Sequence, residues 1–208
     1  MKRTFFIASI VALSALSASA QDSNTEYSAQ DLLPVEKTYR FKPTHNTIRT
    51  NFNLGKITSD VYYDNDSKHA YHPAMYGYQL DYEHLFGDED GQHGFRITGA
   101  VSGTSELPDV TLIHCGAAYV YNYTTTLGWV WSMSAGMGYS YSHEEEESGF
   151  GAVVGVGCDY KICRWFGFGA DIRYRSDRFS TPKDVKLKDN EFYGFKHISL
   201  LIGPRFYF

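Results

Sequence analysis

The chain has 208 residues, a formal net charge of −5 and 16% aromatic residues. A mildly acidic surface excludes nucleic acid as an expected partner, because phosphate backbones call for a basic face. Mean hydropathy is −0.35, and only the first residues contain a continuous apolar run, from Phe5 to Leu16, too short for a membrane helix.

Lys2 and Arg3, the apolar run and the ending Ala18-Ser19-Ala20 have the order of a secretory leader. The expected organisation is a signal peptide over 1–20 cleaved after Ala20, a periplasmic tail over 21–46, and a folded domain over 47–208. Gln21 follows the cleavage point, where a lipoprotein would have cysteine. Polar residues with Pro34 and Pro43 mark the tail as irregular, apart from a short helical turn around 30–33.

Eight segments with period-two alternation follow. The first, about 47–57, sets Ile48, Phe52 and Leu54 against Arg49, Asn51 and Asn53; Gly55 is a candidate bulge that would reset its phase. The second, about 75–86, sets Tyr76, Tyr78, Leu80 and Tyr82 against Gln79, Asp81 and Glu83. The third, 93–104, opposes Phe95, Ile97 and Val101 to Arg96, Thr98 and Ser102. The fourth, 110–123, opposes Ile113, Ala117, Tyr119, Tyr121 and Tyr123 to His114, Gly116 and Asn122.

The fifth, 129–142, carries the clearest pattern. Trp129, Trp131, Met133, Ala135, Met137, Tyr139 and Tyr141 share one face, and the other from Ser132 onward is only Ser or Gly. Aromatics at both ends of a greasy stripe suit a strand crossing a bilayer, since Trp and Tyr settle at the two interfaces. The sixth, 149–160, alternates Phe150, Ala152, Val154 and Val156 with glycines. The seventh, 165–176, alternates Phe166, Phe168, Ala170, Ile172 and Tyr174 with Gly167, Gly169, Asp171, Arg173 and Arg175. The eighth runs from about Tyr193 to the last residue, with Ile198, Leu200, Ile202, Phe206 and Phe208 opposite His197, Ser199, Gly203, Arg205 and Tyr207.

An even count of eight predicts an all-β, eight-stranded antiparallel up-and-down transmembrane β-barrel, because lipid does not tolerate an open sheet edge. The short links 87–92, 124–126 and 161–164 are expected at the periplasmic rim. The longer ones, 60–72, 143–148 and 176–190, are expected outside. So narrow a barrel is filled by side chains. Arg49, Arg96, Arg173, Arg175 and Arg205 are therefore expected to pair inside with Asp81, Glu83 and Asp171 as a plug, with a gated proton or anion path as the alternative. A soluble lipocalin-like calyx is the fold-level rival; it would turn the greasy faces inward.

Cys115, Cys158 and Cys163 are an odd set, so no complete disulfide framework exists. A bridge between Cys158 and Cys163, or no bridge, both remain open. His69, His72 and His143, near the acidic run Glu144 to Glu147, are weak candidate ligands for a divalent cation; solvated loop residues are the expectation, and no metal or cofactor is assigned. His197 and Ser199 lie two apart on one strand face, a pair that performs acyl transfer when an acid orients the histidine.

The terminal alternation ending on Phe206 and Phe208, with the leader and the eight strands, resembles the small outer-membrane β-barrel family, and the aromatic strands and acidic loops look most like Bacteroidetes members. The resemblance implies a monomer in the outer membrane of a Gram-negative bacterium, in contact with lipid and lipopolysaccharide. It also implies that the barrel assembly machinery reads the terminal aromatic. Pro204 departs from that pattern, and with no N–H it must cost a ladder bond or create a bulge. His197 and Ser199 also resemble the H-x-S of outer-membrane lipid A deacylases, but Leu200 to Phe208 contain no acid. The expected role is structural or surface-binding, with the ligand unassigned and no catalysis.

Overall fold

The computed structural model describes residues 41–58, 61–63, 67–69, 72–87, 90–104, 111–143, 147–180 and 193–208. The leader, residues 21–40 of the tail, Glu144 to 146 and most of the 176–190 link lie outside the described residues. The described strands are β1 (Asn46–Ile57), β2 (Val61–Tyr63), β3 (Ser67–His69), β4 (Ala74–Phe86), β5 (Gly91–Thr104), β6 (Thr111–Thr124), β7 (Trp129–Ser142), β8 (Glu147–Lys161), β9 (Phe166–Phe179) and β10 (Gly194–Tyr207).

Eight of them close into a barrel in the order β1-β10-β9-β8-β7-β6-β5-β4, every neighbouring pair antiparallel. β2 and β3 form a separate hairpin in the 60–72 link, which the sequence reading treats as plain loop. The alternation of this segment is too short to register as a strand pair.

Paired residues trace the closure. From Thr47 the partners run Glu83, Arg96, Ala118, Gly136, Val153, Arg175 and His197, and return to β1 at Ile57. One circuit therefore advances ten residues along β1. With eight strands, that stagger tilts them about 40° from the barrel axis and sets a backbone radius of about 8 Å.

The expected bulge at Gly55 is absent. The β1–β4 register passes through Gly55↔Met75 without a shift, so the alternation continues and Ile57 points inward. At Pro204 the backbone loses pairing instead of bulging. The β1–β10 pairing holds one register from Thr47↔Tyr207 to Ile57↔His197, but Thr50 and Asn51 have no bridge to Pro204 and Gly203. β9 reaches Phe179, three residues beyond expectation, which moves Asp177 from a link into the wall.

At the short-turn rim, the Thr125 N–H donates to the Trp129 carbonyl and the Trp129 N–H to Thr125 Oγ1 around a tight turn, and Gly128 supplies its positive φ of 91°. The Asn46 N–H donates to the Phe208 carbonyl and the Phe208 N–H to the Asn46 carbonyl, both at 3.1 Å, so the two ends of the barrel sequence meet there.

Polarity is inverted relative to a water-soluble protein. Trp131, Met133, Met137, Phe150, Val154, Val156 and Ile172 are each more than half exposed on the outer wall, while Arg49, Asp81, Glu83, Asp159 and Arg205 are fully buried inside. This overturns the calyx alternative, which needed the apolar faces to be concave.

Candidate functional site

The lumen is the site, and period-two geometry builds it. Each strand sends every second side chain inward, and the ten-residue stagger decides which of them meet. Arg49 on β1 is the centre. Its Nε lies 2.9 Å from Glu83 Oε1, its second guanidinium nitrogen 2.9 Å from Asp159 Oδ2, and its third 3.2 Å from Asp171 Oδ1. Arg205 shares the same aspartates. Its Nε donates to Asp159 Oδ1 at 2.9 Å, one terminal nitrogen to Asp171 Oδ2 at 2.7 Å, and the other to Asn51 Oδ1 at 2.6 Å. Arg96 completes Glu83 by a close ion pair.

A second knot lies beside this one. Arg173 grips Asp81 with both terminal nitrogens, at 2.7 and 3.3 Å, and Gln79 and Thr98 donate to the same carboxylate at 2.8 and 2.6 Å. Asp81 thus has its acceptor positions filled, as a buried carboxylate requires.

Glycines make room for these groups. A Cβ on Gly157 would collide with the Asp171 carboxylate, and one on Gly169 with that of Asp159. The carboxylates reach the two arginines because the facing strand has no side chain at those positions.

Toward the end of the lumen where β1 terminates, contacts loosen. His114 Nδ1 is 2.9 Å from Ser140 Oγ, which donates to Asp177 Oδ1 at 2.7 Å; His197 Nδ1 is 3.9 Å from Asp177 Oδ2. Arg175 stands in this group with a buried Nε that has no hydrogen-bond partner. A void of about 10 Å³, room for one water, remains between Arg96, His114, Arg173 and Arg175. Beyond it Ile57, Met75, Leu112, Phe179, Tyr193 and Phe195 form an apolar cap, with Phe179 and Phe195 edge to face at 5.5 Å.

The opposite mouth is strapped. Lys161 on β8 donates to the Lys42 carbonyl at 3.0 Å and to Thr44 Oγ1 at 3.3 Å, and its ammonium sits 4.6 Å over the Tyr207 ring. β8 lies three strands round from β1. Residues 42–44 therefore cross that mouth before entering β1.

All eight charged residues expected inside (Arg49, Asp81, Glu83, Arg96, Asp171, Arg173, Arg175 and Arg205) are buried in the lumen. Asp159, Lys161, Asp177, His114 and Ser140 join the network beyond the residues expected from the sequence. Asp159 and Lys161 stand two and four residues past the inward Gly157, so extending the same count would have found them. The five buried arginines thereby face five buried carboxylates.

His197 and Ser199 both point inward, and Ser199 Oγ and His197 Nδ1 are buried with no hydrogen-bond partner. The serine is thus not bonded to the histidine that would activate it. Cys115, Cys158 and Cys163 are free thiols, so the Cys158–Cys163 bridge does not form. Among the described residues no three His, Cys, Asp or Glu side chains converge on a cation position. His72 and His143 are solvent-exposed, and the side chain of His69 lies outside the described residues.

Compared with solved structures, the chain is similar to Neisserial surface protein A, with a TM-score of 0.58 and 14% identity, over 78% of this chain and 97% of that one. The fold is that of the small outer-membrane barrels. OprG from Pseudomonas aeruginosa aligns at 0.49 and 13% identity over 81% and 97% of the two chains, and Ail of Yersinia pestis at 0.48 and 15% over 79% and 99%. No protein-family model matches the sequence. No curated protein matches it either.

Proposed function

We propose that this barrel spans the outer membrane of a Gram-negative bacterium as a plugged, monomeric anchor that presents its longer links at the cell surface. The inverted polarity carries the reading: a wall with Trp131, Met133, Val154 and Ile172 outside and paired charges inside is stable only where the surroundings are hydrocarbon. The short-turn rim, with the strap of residues 42–44, faces the periplasm. Phe206 and Phe208, outward at the end of β10, serve as the assembly signal, and lipid and lipopolysaccharide cover the wall.

The plug supports an anchoring role over transport. The central arginines and carboxylates fill the lumen, an apolar cap closes one end, and the strap crosses the other. In planar bilayers the folded protein is expected to give no open-channel current. Heat-modifiable gel mobility and recovery in the outer-membrane fraction are expected alongside. A barrel that stays soluble and folded without detergent would overturn the membrane reading, and a steady ionic conductance would overturn the plug.

A further inference from the structure

The outer wall is uneven in one place. The outward residues Gly99, Leu80 and Thr50 stand side by side on β5, β4 and β1. In the β1–β10 register Thr50 faces Pro204, which pairs on its other side with Phe168 of β9. Gly99 has no side chain, Thr50 a short one and Pro204 a flat ring, while Leu80 stands out between Gly99 and Thr50 and Phe168 at the low end. The result is an apolar groove of about 740 Å³ running across five strands. A Cβ placed on Gly99 would meet nothing within 4 Å.

The next outward row, Val101, Tyr78, Phe52 and Ile202, forms the wall of the groove, and Tyr78 meets Phe52 edge to face at 5.5 Å. Rows of outward residues are about 6.6 Å apart along a strand, so this wall stands one row above the groove floor. No charged side chain lines it.

Its direction points to one occupant. Phe168 is the third residue of β9 and Gly99 the ninth of β5, both counted from the short-turn rim, so the groove climbs from that rim toward the middle of the wall. At its low end the turn before β9 holds exposed Arg164 and Trp165, a cation and an indole where a lipid headgroup would lie. Within the floor, Asn46 and Phe208 exchange two backbone bonds, and the alternation puts Thr50 and Pro204 at an equivalent position. Pro204 has no N–H, so the Thr50 carbonyl receives no bond from it.

We propose that this groove is a lipid-binding site that seats one acyl chain of a phospholipid from the leaflet at the short-turn rim, with its phosphate beside Arg164. The inference rests on the membrane-spanning reading. Native mass spectrometry of the full barrel, folded into phosphatidylethanolamine–phosphatidylglycerol bilayers and released into mild detergent, tests it. One retained phospholipid per wild-type barrel is expected. Gly99→Trp, which fills the open slot, lowers that occupancy about tenfold, and Arg164→Gln lowers it by a smaller factor. Ala135→Trp, outward on β7 and away from the groove, leaves it unchanged. Bare wild-type barrels, equal occupancy in Gly99→Trp, or a second barrel copy retained in place of phospholipid would overturn the site. Failure of the membrane reading is distinct: that barrel would not enter the bilayers and would show no heat-modifiable mobility.

Discussion

The centre of the lumen and its outer third are buried alike but bonded differently. At the centre, Arg49 touches three carboxylates and Arg205 two, all within 3.2 Å. In the outer third, Arg175 forms no ion pair of that length among the described residues, His197 stands 3.9 Å from Asp177, and Ser199 Oγ has no partner. Glycines explain part of the contrast. Gly157 and Gly169 give the central aspartates space to reach across, whereas Gly138 and Gly116 are spent accommodating the His114 ring. Burial alone therefore does not measure what a charge contributes. The number of partners does, because a lone buried charge keeps its desolvation cost with little return.

Substitutions that remove one charge from each region test the contrast directly. Arg49→Met strips a contact from Glu83, Asp159 and Asp171 together, and is expected to lower the unfolding free energy in lipid vesicles by about 3–5 kcal/mol. The outer wall gives an intermediate reference. Val154→Arg, at the middle of β8 and facing hydrocarbon, is expected to cost about 2–4 kcal/mol in the same urea titration.

Arg175→Met, with no close ion pair to break, is expected to cost about 1 kcal/mol or less. Equal losses for Arg49 and Arg175 would erase the distinction between the two regions. Smallest of all is Pro204→Val. The new N–H can donate to the Thr50 carbonyl for about 1 kcal/mol, but the unfolded chain regains about 0.4–1 kcal/mol of entropy. Stability is expected to shift by less than about 0.5 kcal/mol, and slow hydrogen exchange of the new amide would show the repaired ladder.

Much of this was legible beforehand because the alternation is unusually clean. Trp129 to Ser142 reads as one strand with one oily face, and the structure makes it β7 over those same residues. Elsewhere the pattern is locally ambiguous. Gly55 looked like a bulge because glycine permits one, yet two neighbouring strands hold it in register. Asp177 looked like the start of a polar link, yet it lies in phase with Asp171, Arg173 and Arg175 and pairs with Gly151. The cap of Ile57, Met75, Phe179 and Phe195 departs from the expectation that inward positions are polar throughout.

By itself the sequence determined which residues extend, which face each side chain takes, and that oily faces and charged faces lie on opposite sides of the same strands. Those are local properties, since alternation repeats every two residues. Which arginine meets which carboxylate was decided only in three dimensions. Arg49 reaches Asp159 and Asp171 across more than a hundred residues. Their meeting depends on eight strand registers adding to a single ten-residue stagger, a sum that no short window of sequence contains.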